Sequence, residues 1–164
     1  MTTDFLLSAL RTGLYSACLV ISCSLLFGLR GRPVVYNGGV GFVSMVVWAL
    51  TDHLGSFAST VIASTVLSLL GQFGARILRT PASAFLIPCI YPLVPGTAIY
   101  YMTSAFLVGD GSGVGKYAME ALLISTAIAV GYVIAETCFS LFQLVMNKKQ
   151  TAIKWENKEE MITK

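Results

Sequence analysis

Residues 84–108 read AFLIPCIYPLVPGTAIYYMTSAFLV, the larger part of an apolar stretch that starts at Ala82 and carries no charged side chain. Pro88, Pro92 and Pro95-Gly96 all fall inside it. A proline lacks an N–H and its ring clashes with the carbonyl four residues back, so a single helix in a water-soluble core would not survive all three. A membrane changes that balance. Broken helices persist in lipid where the freed backbone is buried in protein or lines a wet cavity. In transporters such breaks mark substrate sites. The stretch therefore predicts a membrane span interrupted at Pro-Gly, and it is the strongest pointer to function in the chain.

The composition agrees. Of 164 residues, 55% are hydrophobic and 12% charged, and the mean hydropathy is +0.76. Soluble domains carry about 25% charged residues. A globule this small cannot hide so much apolar surface from water, so lipid is its solvent. A net charge of +3 is too small to suggest a nucleic-acid partner. One His and scattered acids offer no metal cluster, and no cofactor is expected. Cys18, Cys23, Cys89 and Cys138 form no CxxC pair and read as small hydrophobes in apolar helices. Val20-Ile21-Ser22-Cys23 weakly resembles a lipoprotein cleavage site, but Ser24-Leu25-Leu26-Phe27 stays apolar where a mature lipoprotein turns polar. Four more apolar runs follow the first, which argues against a cleaved signal peptide.

Five apolar segments stand out: Thr12–Leu29, Val34–Leu50, Phe57–Ala75, Ala82–Val108 and Tyr117–Met146. A spanning helix needs about 20 residues. The fourth segment is too long for one straight crossing, and the fifth must tilt or protrude. The second is weakened at its start by Asn37-Gly38-Gly39 and Gly41. Met1–Leu10 either extends the first helix or lies at the interface. The expected fold is an all-α polytopic membrane protein with five spans, the fourth broken. Residues 1–146 form its membrane domain and residues 147–164 a polar tail carrying five Lys and three Glu.

Basic residues set an orientation. Arg30 and Arg32 follow the first span, Arg76 and Arg79 the third, and Lys148 and Lys149 the fifth. With five crossings these share one face; the other holds Arg11 and Lys116, together with Asp4, Asp52 and Asp110. Lys and Arg in short loops mark the cytoplasmic side. The N-terminus is expected outside and the C-terminus inside.

In a helical fourth span, Pro88 would free the carbonyl of Ala84, Pro92 that of Pro88, and Pro95 that of Tyr91. Gly96 is expected to permit a sharp turn, and Thr97 to cap a second half-helix, Thr97–Val108, through its hydroxyl. The N–H groups of that half-helix would begin near mid-membrane, where they suit a carboxylate. Tyr91, Tyr100 and Tyr101 supply hydroxyls nearby. The alternative is a kinked helix whose neighbours satisfy the backbone. Glu120 and Glu136 lie in the last span, where a carboxylate must face a cavity or a partner. They are sixteen residues apart, about 160° around a helix, so one straight helix does not aim both at one site. Glu136 lies deeper and is the better candidate for a proton or substrate contact. Ser56, Thr60, Ser64, Ser68 and Gln72 recur every fourth residue, the pattern of a helix-packing seam, with a polar pathway as the lesser reading. Asp52-His53 falls in a loop. Gly109–Lys116 lacks the full phosphate-loop pattern because Tyr117 replaces Ser/Thr, and no strand precedes it.

Several of these residues are similar to those of a known family. Arg76-Ile77-Leu78-Arg79-Thr80-Pro81-Ala82, Phe85-Leu86-Ile87-Pro88 and Pro92-Leu93-Val94-Pro95-Gly96 resemble the bacterial threonine/serine exporters, in their small-subunit form. That form is equivalent to the C-terminal half of the single-chain exporters. Phe27-Gly28-Leu29, the glycines of the second span, Ala129-Val130-Gly131, and Glu120 within Met119-Glu120-Ala121-Leu122 add to the resemblance, which covers about residues 5–140. Cys89 departs from it, where a Gly is expected. The resemblance implies an exporter of small carboxylate metabolites in a bacterial cell membrane: threonine and serine, or for two-subunit members a dicarboxylate such as succinate. It implies a larger membrane subunit as partner, and leaves open proton coupling and a higher oligomer. Pro88, Pro92, Pro95, Gly96, Thr97, Tyr100, Glu120 and Glu136 are the candidate pathway residues, and no catalytic residue is expected. The competing reading is a membrane scaffold or assembly protein without a substrate, which has no need of a broken helix. An intramembrane enzyme ranks last, because the single His lies in a loop and no Asp lies within a span.

Overall fold

The computed structural model describes the backbone of residues 2–78 and 80–162, and the side chains of 7–78, 80, 81, 83 and 85–144. Six helices form: α1 Thr2–Leu26, α2 Arg32–Thr51, α3 Ser56–Ile77, α4 Ala82–Ile90, α5 Gly96–Val108 and α6 Gly111–Ile162. There is no strand among the described residues. Four stretches are long and apolar enough to cross a membrane: Leu7–Leu26, Arg32–Leu54, Ser56–Ile77 and Gly111–Leu144. Phe85–Leu93 and Gly96–Val108 together make a fifth, bent by 51°. This is an all-α polytopic membrane architecture. Its apolar side chains point outward as well as inward: Leu14, Leu26, Phe106, Leu107 and Val108 are all exposed. Helices that are apolar all round are what a lipid solvent selects.

The backbone of α1 is helical from Thr2, so residues 2–10 continue the first helix, whose apolar span runs Leu7–Leu26. The glycines of α2 do not fray it; they bring α1 close. A Cβ on Gly41 would sit 2.6 Å from Val20 Cγ2, and Ser16 Oγ donates to the Gly41 carbonyl at 2.9 Å. Asn37 Nδ2 donates to Ser24 Oγ at 3.1 Å in the same buried interface. Small residues allow this approach, and lipid leaves the hydrogen bonds uncontested by water.

Helix α2 also packs on α3 and α4, and α6 packs on α3 and α5. The α3 seam is buried at Thr60, Ser64, Ser68 and Gln72, while Ser56 is exposed. At its centre α3 meets Gly131 of α6. A Cβ there would lie 2.6 Å from the Val61 carbonyl oxygen and would overlap Ser64 Oγ. Thr65 Oγ1 donates to the Gly131 carbonyl at 3.2 Å. The packing reading of the seam holds here.

Helix α6 runs on through Ile162 without a backbone break at residue 147. By helix rise, residues 111–144 alone extend about 50 Å, well beyond the hydrocarbon core of about 30 Å. Arg79 lies outside the described residues, and so do the side chains of Asp4, Lys148 and Lys149, on which part of the charge argument rests.

Candidate functional site

The fourth span does not break at its first proline. Pro88 sits fully buried inside α4, which continues to Ile90. A 3₁₀ turn, Tyr91–Leu93, accommodates Pro92 in its first positions, where no N–H is missed. The chain then bends at Val94-Pro95. Pro95 has φ −74° and ψ 55°, and Gly96 N–H donates to the Val94 carbonyl at 2.7 Å, an inverse γ-turn. Pro95 therefore makes the sharp turn, and Gly96 is simply the first residue of α5. Its φ is not among the positive glycine values of Gly28, Gly31, Gly55 and Gly109, so the expected role for its conformational freedom is corrected. Thr97 does not cap α5 either, since no side chain bonds to its first turn. The Tyr91 carbonyl freed by Pro95 is met by Val94 N–H at 3.3 Å. The N–H groups of Thr97 and Ala98 find no acceptor among the described residues.

Two cavities flank this elbow. The first, of about 430 Å³, is lined by Pro92, Pro95, Gly96 and Thr97 together with Trp48, Thr60 and Glu120. A Cβ on Gly96 would meet nothing within 4 Å. The missing side chain therefore keeps this elbow cavity open. Trp48 Nε1 donates to Thr60 Oγ1 at 3.4 Å along its wall.

The second cavity, of about 570 Å³, lies beside the last turn of α3, which carries Arg76, and the stretch of α6 from Tyr132 to Gln143. Three helices build it. From α3 come Gln72 and Arg76, four residues apart and so on one face. From α6 come Tyr132, Glu136, Phe139 and Gln143 at spacings of four, three and four, again one face. From α4 and the turn before it come Thr80, Ser83 and Ile87. Gln72 is only 4% exposed, and its Nε2 donates to Glu136 Oε2 at 2.8 Å. The Arg76 guanidinium lies over the Phe139 ring, 5.0 Å from its centre. Thr80 Oγ1 is buried with no hydrogen-bond partner among the described residues.

Residues that lie in sequence between the linings of the two cavities pack into one apolar cluster. On α3 the buried Leu67 stands between Thr60 and Gln72; on α6 Ile128 stands between Ile124 and Tyr132; Ile90 and Leu93 meet them from the broken span.

The structure thus brings together Pro92, Pro95, Gly96, Thr97 and Glu120. It places Glu136 in the other cavity, as the angular argument required. Pro88 and Tyr100 line neither. Tyr100 is exposed, its ring 5.6 Å from that of Tyr101, which stacks on Tyr117. Asp110 explains the Gly109–Lys116 loop: its Oδ1 accepts from Ser112 Oγ at 2.6 Å and from Ser112 N–H at 3.2 Å, capping α6. The Ser112 hydroxyl is the main cause holding the Asp110 carboxyl below its usual range. Arg76, Tyr132, Ser83 and Gln143 were not site candidates from sequence. Arg76 reads there as a topology charge, and the α6 stripe shows only once Glu136 is aligned with its neighbours at helical spacing.

A family model described as threonine/serine exporter, ThrE, matches residues 12–138. No curated protein and no solved structure matches the chain. The matched span includes the elbow, the Gly131 crossing, Glu120, and the Gln72, Arg76 and Glu136 side chains of the second cavity. The chain belongs to the threonine/serine exporter family of membrane transporters.

Proposed function

We propose that this chain is the small subunit of an exporter of small carboxylate metabolites, residing in a bacterial inner membrane and working with a larger membrane subunit. The observation that carries the reading is the cavity at the elbow of the broken span, with a second polar-lined cavity beside α4 of the same span. A scaffold needs neither cavity. A solute site near a broken helix, reachable in turn from two faces, is the plan of many transporters. At the elbow cavity the free N–H groups of Thr97 and Ala98 are suited to a substrate carboxylate, with Glu120 near enough to take part in release. An odd number of spans fits joining to a second unit of opposite orientation.

The test is efflux of labelled threonine, serine and succinate from cells lacking the chain, complemented with it alone and with its partner. Export of at least one of these should return only when both subunits are present. Full flux from the purified chain alone in liposomes would refute the two-subunit reading.

Arg30, Arg32 and Arg76 on one face, against Arg11 and Lys116 with Asp52 and Asp110 on the other, support a cytoplasmic location for the first face. A reporter fused after Lys149 should report the cytoplasm, and one inserted at Ser112 the outside. Reversed signals would overturn this orientation, and with it the assignment of the 570 Å³ cavity to the cytoplasmic side.

A further inference from the structure

The larger cavity holds a cation and a carboxylate that are not paired with each other: no ion pair involving Arg76 or Glu136 exists among the described residues. We propose that this cavity is the loading site for a zwitterionic α-amino acid, whose carboxylate lies on Arg76 and whose ammonium lies on Glu136. The inference rests on the export reading above and names the site that reading leaves open.

The geometry of each group supports its part. Glu136 is held by Gln72 through one oxygen, Oε2. A carboxylate has acceptor sites on both oxygens, so Oε1 stays available to an ammonium. The buried Gln72 is the positioning residue: at 4% exposure it is packed in place, and it fixes the carboxylate without neutralising it. The Arg76 guanidinium carbon sits over the Phe139 ring, 5.0 Å from its centre. A cation–π contact uses none of the guanidinium N–H donors, which leaves them for a bidentate carboxylate. The cavity volume falls in the range of small-molecule sites, about 300–1,000 Å³. Ser83 and the unpartnered Thr80 Oγ1 on the same wall offer hydrogen bonds to a ligand.

The arrangement discriminates between the two substrate classes. An amino acid brings one charge of each sign and matches both groups. A dicarboxylate that used Arg76 would set its second carboxylate against Glu136, an unfavourable like-charge juxtaposition. The site therefore favours threonine or serine over succinate.

The experiment uses the full chain with its partner in cells that export through it, and reads two things. Export of threonine and succinate is measured for wild type, Arg76→Gln, Arg76→Lys, Glu136→Gln and Glu136→Asp. In a background with Cys18, Cys23 and Cys138 replaced by Ala, Ser83→Cys is labelled by a maleimide, with and without L-threonine, 2-aminobutanol or 2-hydroxybutyrate. Threonine should protect the introduced thiol, while the amine-only and acid-only analogues protect it far less. Arg76→Gln and Glu136→Gln should lower threonine export about tenfold. Arg76→Lys, which keeps the topological charge but loses the fork, should fall in between. Glu136→Gln should shift the succinate-to-threonine ratio upward, an effect that a purely structural role for Glu136 does not produce. Glu136→Asp should keep the wild-type ratio. If wild type exports none of threonine, serine and succinate, the export reading itself fails; if it exports succinate alone, the loading site is wrong and the export reading stands. If wild type exports threonine but the thiol is unprotected, or the ratio stays fixed in Glu136→Gln, the loading site is wrong and the export reading stands.

Discussion

Gly131→Val should remove most of the folded chain from the membrane, the largest single-residue effect expected in this structure. A Cβ at position 131 lies 2.6 Å from a backbone oxygen, that of Val61, and overlaps Ser64 Oγ. A flexible side chain can swing away from such an intruder, but a helix carbonyl cannot. Helix α6 would have to slide or tilt off α3. The Thr65–Gly131 hydrogen bond at the crossing and the Gln72–Glu136 bond further along the same two helices would go with it. Overpacking of a flexible site costs about 1–3 kcal/mol; against a rigid carbonyl the cost should be at or above about 3 kcal/mol, the top of that range. The measurements are chain abundance in membranes and the midpoint of thermal aggregation in detergent. Gly131→Ala should be destabilised less, and Ser64→Gly added to it should restore part of the loss by removing the hydroxyl but not the Val61 carbonyl. Wild-type abundance and midpoint for Gly131→Val would mean that α3 and α6 do not cross here.

How much of this was legible in the sequence follows from what each feature depends on. The spans were, because lipid as solvent demands apolar surface all round a helix, and that demand acts on each segment by itself. The packing role of the Ser56–Gln72 seam was legible for the same reason, as a repeat on one helix. What it packs against was not: Gly131 shows as a contact only when α6 is laid beside α3. The glycines of α2 illustrate the same limit. Read alone they lower helix propensity; read against Val20 and Ser16 they are the reason the first two helices meet. The elbow was located but its mechanics were not. Pro95 turns the chain through its ψ, and Gly96 owes its place to the space beside it rather than to its φ. Arg76 was hidden by its other reading, since a basic residue at a helix end already has a use in topology. Only three helices converging on one cavity give it a second one. The family match establishes an exporter-type membrane transporter and is silent on which side chains touch the solute.

Replacing both Pro92 and Pro95 by Ala should stop export while leaving the chain inserted and abundant. Pro95 holds the inverse γ-turn at the bend and Pro92 starts the 3₁₀ turn before it. With alanine at both, every residue from Tyr91 to Thr97 can carry helical hydrogen bonds, and alanine is the best helix former available. In lipid each unmade backbone hydrogen bond is costly, so straightening is favoured. Removal of a 51° bend withdraws the Thr97 and Ala98 amides from the elbow cavity and swings α5 relative to α4. Misplacement of a binding group by about 1 Å can cost about a hundredfold in rate, and a swing of this size displaces α5 by more than that. Threonine efflux should fall accordingly, and the Gly131 crossing, some distance along α6, should keep the chain folded. Gly96 separates the bend from the space beside it. A Cβ there meets nothing within 4 Å, so Gly96→Ala should export within about twofold of wild type, whereas Gly96→Trp should fill the elbow cavity and block export with the bend intact. Wild-type export from the double proline variant would reduce the elbow to a kink. Wild-type export from Gly96→Trp would place the solute path somewhere other than the elbow cavity.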